Sequence, residues 1–160
     1  MLYCDKYESP MGNLWLTGED GILTGLSFDE PCGEYLTGNF DTVRCWLDDY
    51  FRGIPRKSDF PMEPSGTPFQ KTVWKFLLEI PFGETRTYGE IAMRAAETLG
   101  KEKMSAQAVG QAVGKNPIAI IIPCHRVVGA GGKLTGYAYG LEKKQWLLEH
   151  EQNRRQHYAL

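Results

Sequence analysis

The run Ile118-Ala119-Ile120-Ile121-Ile122 constrains this chain more than any other stretch, because it ends abruptly at Pro123-Cys124-His125. A run so short and so rich in β-branched residues predicts a buried strand, and Pro123 predicts a turn where that strand stops. A thiol is thereby placed at the edge of the core, beside an imidazole. Cysteine attacks as thiolate, and a neutral imidazole nearby can take its proton. Taken alone, the pair fits a buried structural cysteine with a hydrogen-bonded histidine as well.

Charge is divided along the chain. Residues 1–66 carry five Lys or Arg against twelve Asp or Glu, and residues 67–160 carry thirteen against eight. The basic second part points to an anionic partner, with nucleic acid the first candidate, although a small lysine excess also suits a solvated surface. No stretch approaches 18 apolar residues and the first residues lack a basic-then-apolar leader, so the expectation is a cytoplasmic protein with no membrane partner. Cys4, Cys32, Cys45 and Cys124 form no CxxC pair, which favours reduced thiols.

The predicted organisation is two domains, 1–66 and 67–160. Turn signals at Ser9-Pro10-Met11-Gly12-Asn13 and from Gly18 to Gly21 separate short alternating strands, clearest at 14–17 and 22–28. A helix follows near 42–51 with Val43, Trp46, Leu47 and Tyr50 on one face. Residues 53–67, rich in Pro and Gly, read as a surface connector. Thr67-Pro68-Phe69-Gln70 predicts a capping box opening a helix with Phe69, Val73, Phe76, Leu77 and Ile80 inward, stopped by Pro81. Thr87 with Glu90 predicts a second box and a helix to about Thr98. A third helix is expected over 105–114 with Ala106, Val109 and Val113 inward, so that the pair resembles a helix-turn-helix. Gly110 and Gly114 each weaken that helix by roughly 1 kcal/mol, which suggests either close approach of something bulky or tight packing on a neighbouring helix. Residues 129–136 predict a flexible turn or hairpin, and a last helix carries Leu141, Trp146, Leu147 and Leu148 before a solvated tail at Arg154-Arg155.

Over 67–160 the chain resembles the O6-alkylguanine-DNA alkyltransferases, also called methylated-DNA–protein-cysteine methyltransferases. The residues that carry the resemblance are Pro81-Phe82-Gly83, Thr87-Tyr88-Gly89, Ala108-Val109-Gly110, Asn116-Pro117, Pro123-Cys124-His125-Arg126-Val127-Val128, Gly136-Tyr137 and Trp146-Leu147-Leu148 with His150-Glu151. Ser9-Pro10-Met11-Gly12 before a strand is similar to the family's first domain. The resemblance implies an α+β protein: a small ribonuclease-H-like mixed-sheet N-terminal domain, then a mostly helical C-terminal domain with a winged-helix-like helix-turn-helix.

The activity implied is DNA repair by direct, single-turnover transfer of an alkyl group from O6-alkylguanine to Cys124, after the nucleotide is flipped from the duplex; O4-alkylthymine is a second possible substrate. The partner implied is double-stranded DNA bearing that lesion, met by a monomer, with no cofactor. By the same resemblance His125 deprotonates Cys124, through a water, and Glu151 holds the imidazole in the useful tautomer. Asn116 braces the turn backbone, and the Tyr88 hydroxyl donates to guanine N3. The carbonyls of Cys124 and Val127 accept from the guanine amine, the Ala138 N–H faces O6, Tyr137 walls the pocket, and Arg126 ties loops together. Two departures stand out. Gln107, between Ala106 and Ala108 in the DNA-binding helix, sits where the family commonly has an arginine finger, which predicts weaker filling of the gap in the stack. Tyr139 stands where many relatives have glycine, which predicts a narrower pocket entrance. Some relatives hold zinc through N-terminal Cys and His; Cys4, Cys32 and Cys45 have no upstream histidine, so no metal site is expected.

Three other readings compete. A lesion-binding relative without transfer chemistry would replace the cysteine, which is present here. A sequence-reading helix-turn-helix regulator would have only Gln107 and Gln111 to offer base edges. A Cys-His hydrolase would turn over repeatedly and need an oxyanion hole.

Overall fold

The computed structural model describes the backbone of residues 1–159 and the side chains of residues 1–153. The expected tail at Arg154-Arg155 therefore lies outside the described side chains. The chain forms two compact units, Met1–Ser65 with Pro117–Ile121, and Gly66–Asn116 with Ile122–Leu160.

In the first unit, β1 (Leu2–Ser9) and β2 (Gly12–Glu19) pair antiparallel along their whole length, from Leu2↔Glu19 to Ser9↔Gly12. The turn is held by Ser9, whose Oγ donates to the Gly12 carbonyl and accepts from the Met11 N–H. β3 (Ile22–Ser27) follows across a tight turn in which Asp20 and Gly21 both take positive φ, the conformation Asp-Gly hairpins favour. β4 (Leu36–Thr37) pairs parallel to β1, giving the mixed order β3-β2-β1-β4. Alternation puts Leu14 and Leu16 in the core, and α1 (Asp41–Phe51) adds Val43, Trp46, Leu47 and Tyr50. Tyr7 Oη donates to Asp48 Oδ1 at 2.6 Å, joining β1 to that helix.

The run 118–122 is not a strand. Ile118 alone bridges β3, parallel to Leu26, with Leu26 N–H donating to the Pro117 carbonyl and Ala119 N–H to the Leu26 carbonyl. Pro61 and Met62 cover the other end of the same edge, where Leu23 N–H donates to the Pro61 carbonyl at 3.0 Å. Two short segments thereby close an edge that would otherwise invite pairing with other chains. The run ends as a strand because Ile120 takes φ 68° and Ile121 N–H folds back to the Ala119 carbonyl at 2.7 Å, a γ-turn that reverses the chain. Positive φ on a β-branched residue is strained, and burial of Ile118 to Ile122 on every side holds it.

In the second unit, α2 (Pro68–Leu78) has the complete capping box: Gln70 N–H donates to Thr67 Oγ1 and Thr67 N–H to Gln70 Oε1. At α3 (Tyr88–Thr98) only half of the expected box forms, Thr87 Oγ1 accepting from the Glu90 N–H. That helix closes on Gly100 at φ 67°, with Lys101 N–H reaching the Ala96 carbonyl, a Schellman ending. α4 (Ala106–Gly114) is capped by Ser105. Its inward residues are Val109, Ala112 and Val113; Ala106, expected inward, is exposed. Trp74 of α2, absent from the predicted stripe, is buried and donates its indole N–H to the Ala112 carbonyl at 2.8 Å. β5 (Arg86–Thr87) pairs parallel with β6 (Val127–Val128), and α5 (Leu141–Ala159) completes the unit. Residues 129–136 form a turn around a 3-10 segment, Ala130–Gly132, and no hairpin.

Candidate active site

Two successive tight turns aim the thiol. After the γ-turn at Ile120, Pro123 at φ −82° and ψ 64° makes the inverse γ-turn that lets Cys124 N–H donate to the Ile122 carbonyl at 2.8 Å. Asn116 braces the same carbonyl through Nδ2, also at 2.8 Å. Cys124 then opens a 3-10 turn, Cys124–Arg126, that carries His125 and Arg126 inward.

His125 and Glu151 are both completely buried, with Nε2 of the imidazole 2.5 Å from Oε2 of the carboxylate. Arg126 donates to the same carboxylate from Nε at 2.8 Å and Nη2 at 3.2 Å, and to the Ile80 carbonyl from Nη1 at 2.6 Å. Gly83 N–H adds a fourth donor to Glu151, at 3.0 Å. Burial pushes the Glu151 carboxyl toward neutrality, but His125 and Arg126 outweigh it and hold the group well below the usual carboxylate range. An ionised carboxylate only accepts, so the imidazole proton sits on Nε2 and the lone pair on Nδ1. Nδ1 is buried with no hydrogen-bond partner among the described residues. Burial also lowers the His125 pKa, against the pull of Glu151, so the ring is a neutral base near pH 7.

Burial raises the Cys124 thiol above its ordinary value, opposed by Asn116 and by the charge of Lys144. The resting group is therefore a thiol, and the proton must leave during reaction. Its sulfur lines a cavity of about 590 Å³. Tyr88 at the start of α3, one side of α4 from Ala106 to Gly114, Asn116 just after it, and the segment Thr135 to Tyr139 also line it. A Cβ built on Gly114 would meet nothing within 4 Å, and one on Gly110 only the Tyr88 ring at ordinary contact distance, 3.8 Å. Helix packing does not demand these glycines; they open α4 toward the cavity. Tyr137 and Tyr139 meet edge to face with ring centroids 5.7 Å apart, at the cavity's side. The Tyr137 hydroxyl is buried, without a partner at hydrogen-bond geometry, and burial then Cys124 raise its pKa well above normal.

Of the residues singled out from sequence, Cys124, Asn116, Tyr88, Ala106, Gln107, Tyr137, Ala138 and Tyr139 line one cavity. His125 and Glu151 lie behind it. Arg126 and Val127 are buried and not among the residues that line it, and Ala108 is half-buried on α4, also outside the lining. His150 stacks on Trp146 at 5.1 Å and Phe82 meets it edge-on, a packing role. Sequence reasoning gives no role to Lys144, and it names Gly83 only as part of a motif, without the N–H that reaches Glu151. Lys144 is completely buried, and its signal was spacing: 144, 147 and 151 fall on one face of the last helix.

Family models match both parts of the chain: 6-O-methylguanine DNA methyltransferase, ribonuclease-like domain, over residues 2–64, and 6-O-methylguanine DNA methyltransferase, DNA binding domain, over residues 68–153. The chain belongs to the 6-O-methylguanine DNA methyltransferase family. A methylated-DNA–protein-cysteine methyltransferase from Methanosarcina mazei is 54% identical over 160 residues, covering 95% of this chain and 98% of that methyltransferase. One from Methanosarcina barkeri is 46% identical at the same coverage. The crystal structure of the Mycobacterium tuberculosis O6-methylguanine methyltransferase superposes with TM-score 0.83 at 45% identity, covering 96% of this chain and 94% of that one. The same protein in complex with DNA gives TM-score 0.83 at 44% identity, covering 95% and 94%. The α+β architecture is thus the methyltransferase family's own, and no helix among the described residues is long and apolar enough to cross a membrane.

Proposed function

We propose that this protein repairs O6-alkylguanine in DNA by taking the alkyl group onto Cys124, once per molecule. The observation that carries the reading is a thiol on the wall of an open cavity, with an imidazole lone pair behind it fixed by a buried carboxylate. Family membership supports the same chemistry.

In the reaction the Cys124 proton passes through a water to His125 Nδ1, and Glu151 stabilises the imidazolium that results. The sulfur attacks the alkyl carbon in line; the carbon–O6 bond breaks, its electron pair stays on the purine, and a proton neutralises the guanine. The product is a thioether, which no group in the site can reverse. The target atom lies inside the stack, so the nucleotide must enter the cavity flipped out. Helices α3 and α4 act as the helix-turn-helix, with Gln107 entering the space the base leaves. Tyr88 donates to guanine N3, the Ala138 N–H faces O6, and the Cys124 and Val127 carbonyls receive the purine amine. Val127 O already accepts from Lys144 at 2.6 Å, and a carbonyl oxygen has a second lone pair for the substrate. Lysines of residues 67–160 meet phosphates, so binding weakens with salt. A cytoplasmic setting, where thiols stay reduced, suits a cysteine that must react as thiolate.

The test is intact-protein mass after mixing with an oligonucleotide containing O6-methylguanine. One methylene is gained on the Cys124 peptide, and none by Cys124→Ser, thiolates being far better nucleophiles than hydroxyls. Binding of the damaged oligonucleotide with no gain of mass would mean lesion recognition alone.

A further inference from the structure

Lys144 is 0% exposed, an uncommon place for an ammonium group. Its Nζ donates to the Val127 carbonyl at 2.6 Å and to the Gly136 carbonyl at 2.8 Å. The first of these follows the 3-10 turn that bears Cys124; the second opens the segment Gly136 to Tyr139 that walls the cavity. The ammonium also lies 5.7 Å from the centroid of the Tyr88 ring, which lines the same cavity. One side chain of α5 thus reaches three parts of the site.

The groups that act on Cys124 come from several elements: Asn116 after α4, Tyr88 from α3, Tyr137 from the cavity segment, the His125 backbone from its own turn, and Lys144 from α5, while Arg126 and Glu151 act on the His125 ring. His125 is neutral and Arg126 is committed to Glu151. Among the described residues facing the sulfur, Lys144 is the cation that has no carboxylate partner. Both of its hydrogen-bond partners among the described residues are uncharged carbonyls, so its charge is left uncompensated until an anion forms nearby. Burying a charge in that state is costly and persists where something is gained from it.

We propose that Lys144 is a positioning residue for alkyl transfer, its ammonium tying the backbone of Val127, just after the Cys124 turn, to that of Gly136 in the cavity wall, and supplying the buried positive charge that the Cys124 thiolate needs. The inference deepens the alkyl-transfer reading and rests on it for its meaning, but it can be measured without DNA. Sulfur becomes negative when its proton leaves, and the nearest uncompensated cation then lowers the cost. When the thioether forms, the negative charge leaves with the purine and Lys144 is again alone. Coupling of this kind is reciprocal: if Lys144 favours the thiolate, the thiolate favours protonated Lys144 to the same degree.

The experiment compares wild type with Lys144→Met, Lys144→Gln and Lys144→Arg by the pH dependence of iodoacetamide labelling at the Cys124 peptide, read by mass. The Met and Gln variants label roughly tenfold more slowly at neutral pH, with the thiol titrating about one unit higher, as loss of a neighbouring opposite charge predicts; Arg keeps most of the wild-type rate. A folded Gln variant whose thiol titrates as in wild type overturns the proposal, because a purely structural lysine would not move that midpoint. Should the variants fail to fold, the wild-type protein with isotope-labelled lysines decides. Lys144 titrates at lower pH once Cys124 is alkylated, and an unmoved titration overturns the proposal equally. If wild type labels as described but gains no methyl from damaged DNA, the repair reading fails while the Lys144–Cys124 coupling stands.

Discussion

At the scale of single residues, the site separates the nucleophile from its base by protonation state. Glu151, held ionised by His125 and Arg126, fixes the imidazole tautomer, and the tautomer puts the lone pair on Nδ1. Two cavity residues carry predictions about specificity. Tyr139, packed edge-on against Tyr137 in the cavity lining, is expected to narrow the entrance that a benzyl group would need. The expected outcome is efficient methyl transfer with benzylguanine a poor substrate, and a benzyl rate raised by Tyr139→Gly with methyl transfer little changed, measured by single-turnover kinetics on both. Equal benzyl rates in the two proteins would remove the role. Gln107 is exposed at the start of α4 and carries no charge. Gln107→Arg restores reach and an electrostatic contact, so it tightens binding to damaged duplex in a titration by fluorescence anisotropy; unchanged or weaker binding counts against it.

At the scale of elements, short helices are made by their ends. α2, α3 and α4 each begin with a hydroxyl residue accepting an N–H three residues on, because the first N–H groups of a helix have no internal partner. Thr67→Ala removes a complete capping box and lowers stability by about 1 kcal/mol, read from the urea midpoint. A loss indistinguishable from zero would mean that Trp74 and its neighbours hold the helix start unaided. The turn elements matter as much. The Ile120 and Pro123 turns convert an apolar run into a bend, and the bend is what brings Cys124 to the cavity wall.

At the scale of the molecule, the chain leaves the second unit at Asn116, adds Pro117–Ile121 to the first, and returns at Ile122. The acidic and basic parts of the sequence remain with different units, and the whole site lies in the basic one. Stability should fall with acid in two stages. His125 is held neutral below its ordinary 6.5, so the unfolded chain takes up the proton first as pH drops through that value. Glu151 is held ionised below its ordinary 4.5, and its stabilisation, full above that value, drains away as pH falls further. Both groups make the unfolded state bind more protons, so the denaturation midpoint declines from pH 7 to pH 4. A flat profile over that range would contradict the burial assigned to the pair.

The sequence by itself determined what depends on neighbours in the chain. Hydroxyl caps and Pro at a first helical turn place α2 to α4, an apolar face places α1, and alternation around the turn signals from Gly18 to Gly21 places β2 and β3, all within a few residues, because these signals are local. The Pro-Cys-His motif marks the nucleophile for the same reason. Tertiary structure decided what depends on company. Ile118 to Ile122 has strand composition, but a strand needs a partner along its length, and only Ile118 finds one on β3. Ala106 reads as inward until α4 is seen turned toward the cavity. Lys144 reads as a surface charge because lysine is so seldom buried, and only the folded chain supplies the two carbonyls and the sulfur that give it a reason to be inside.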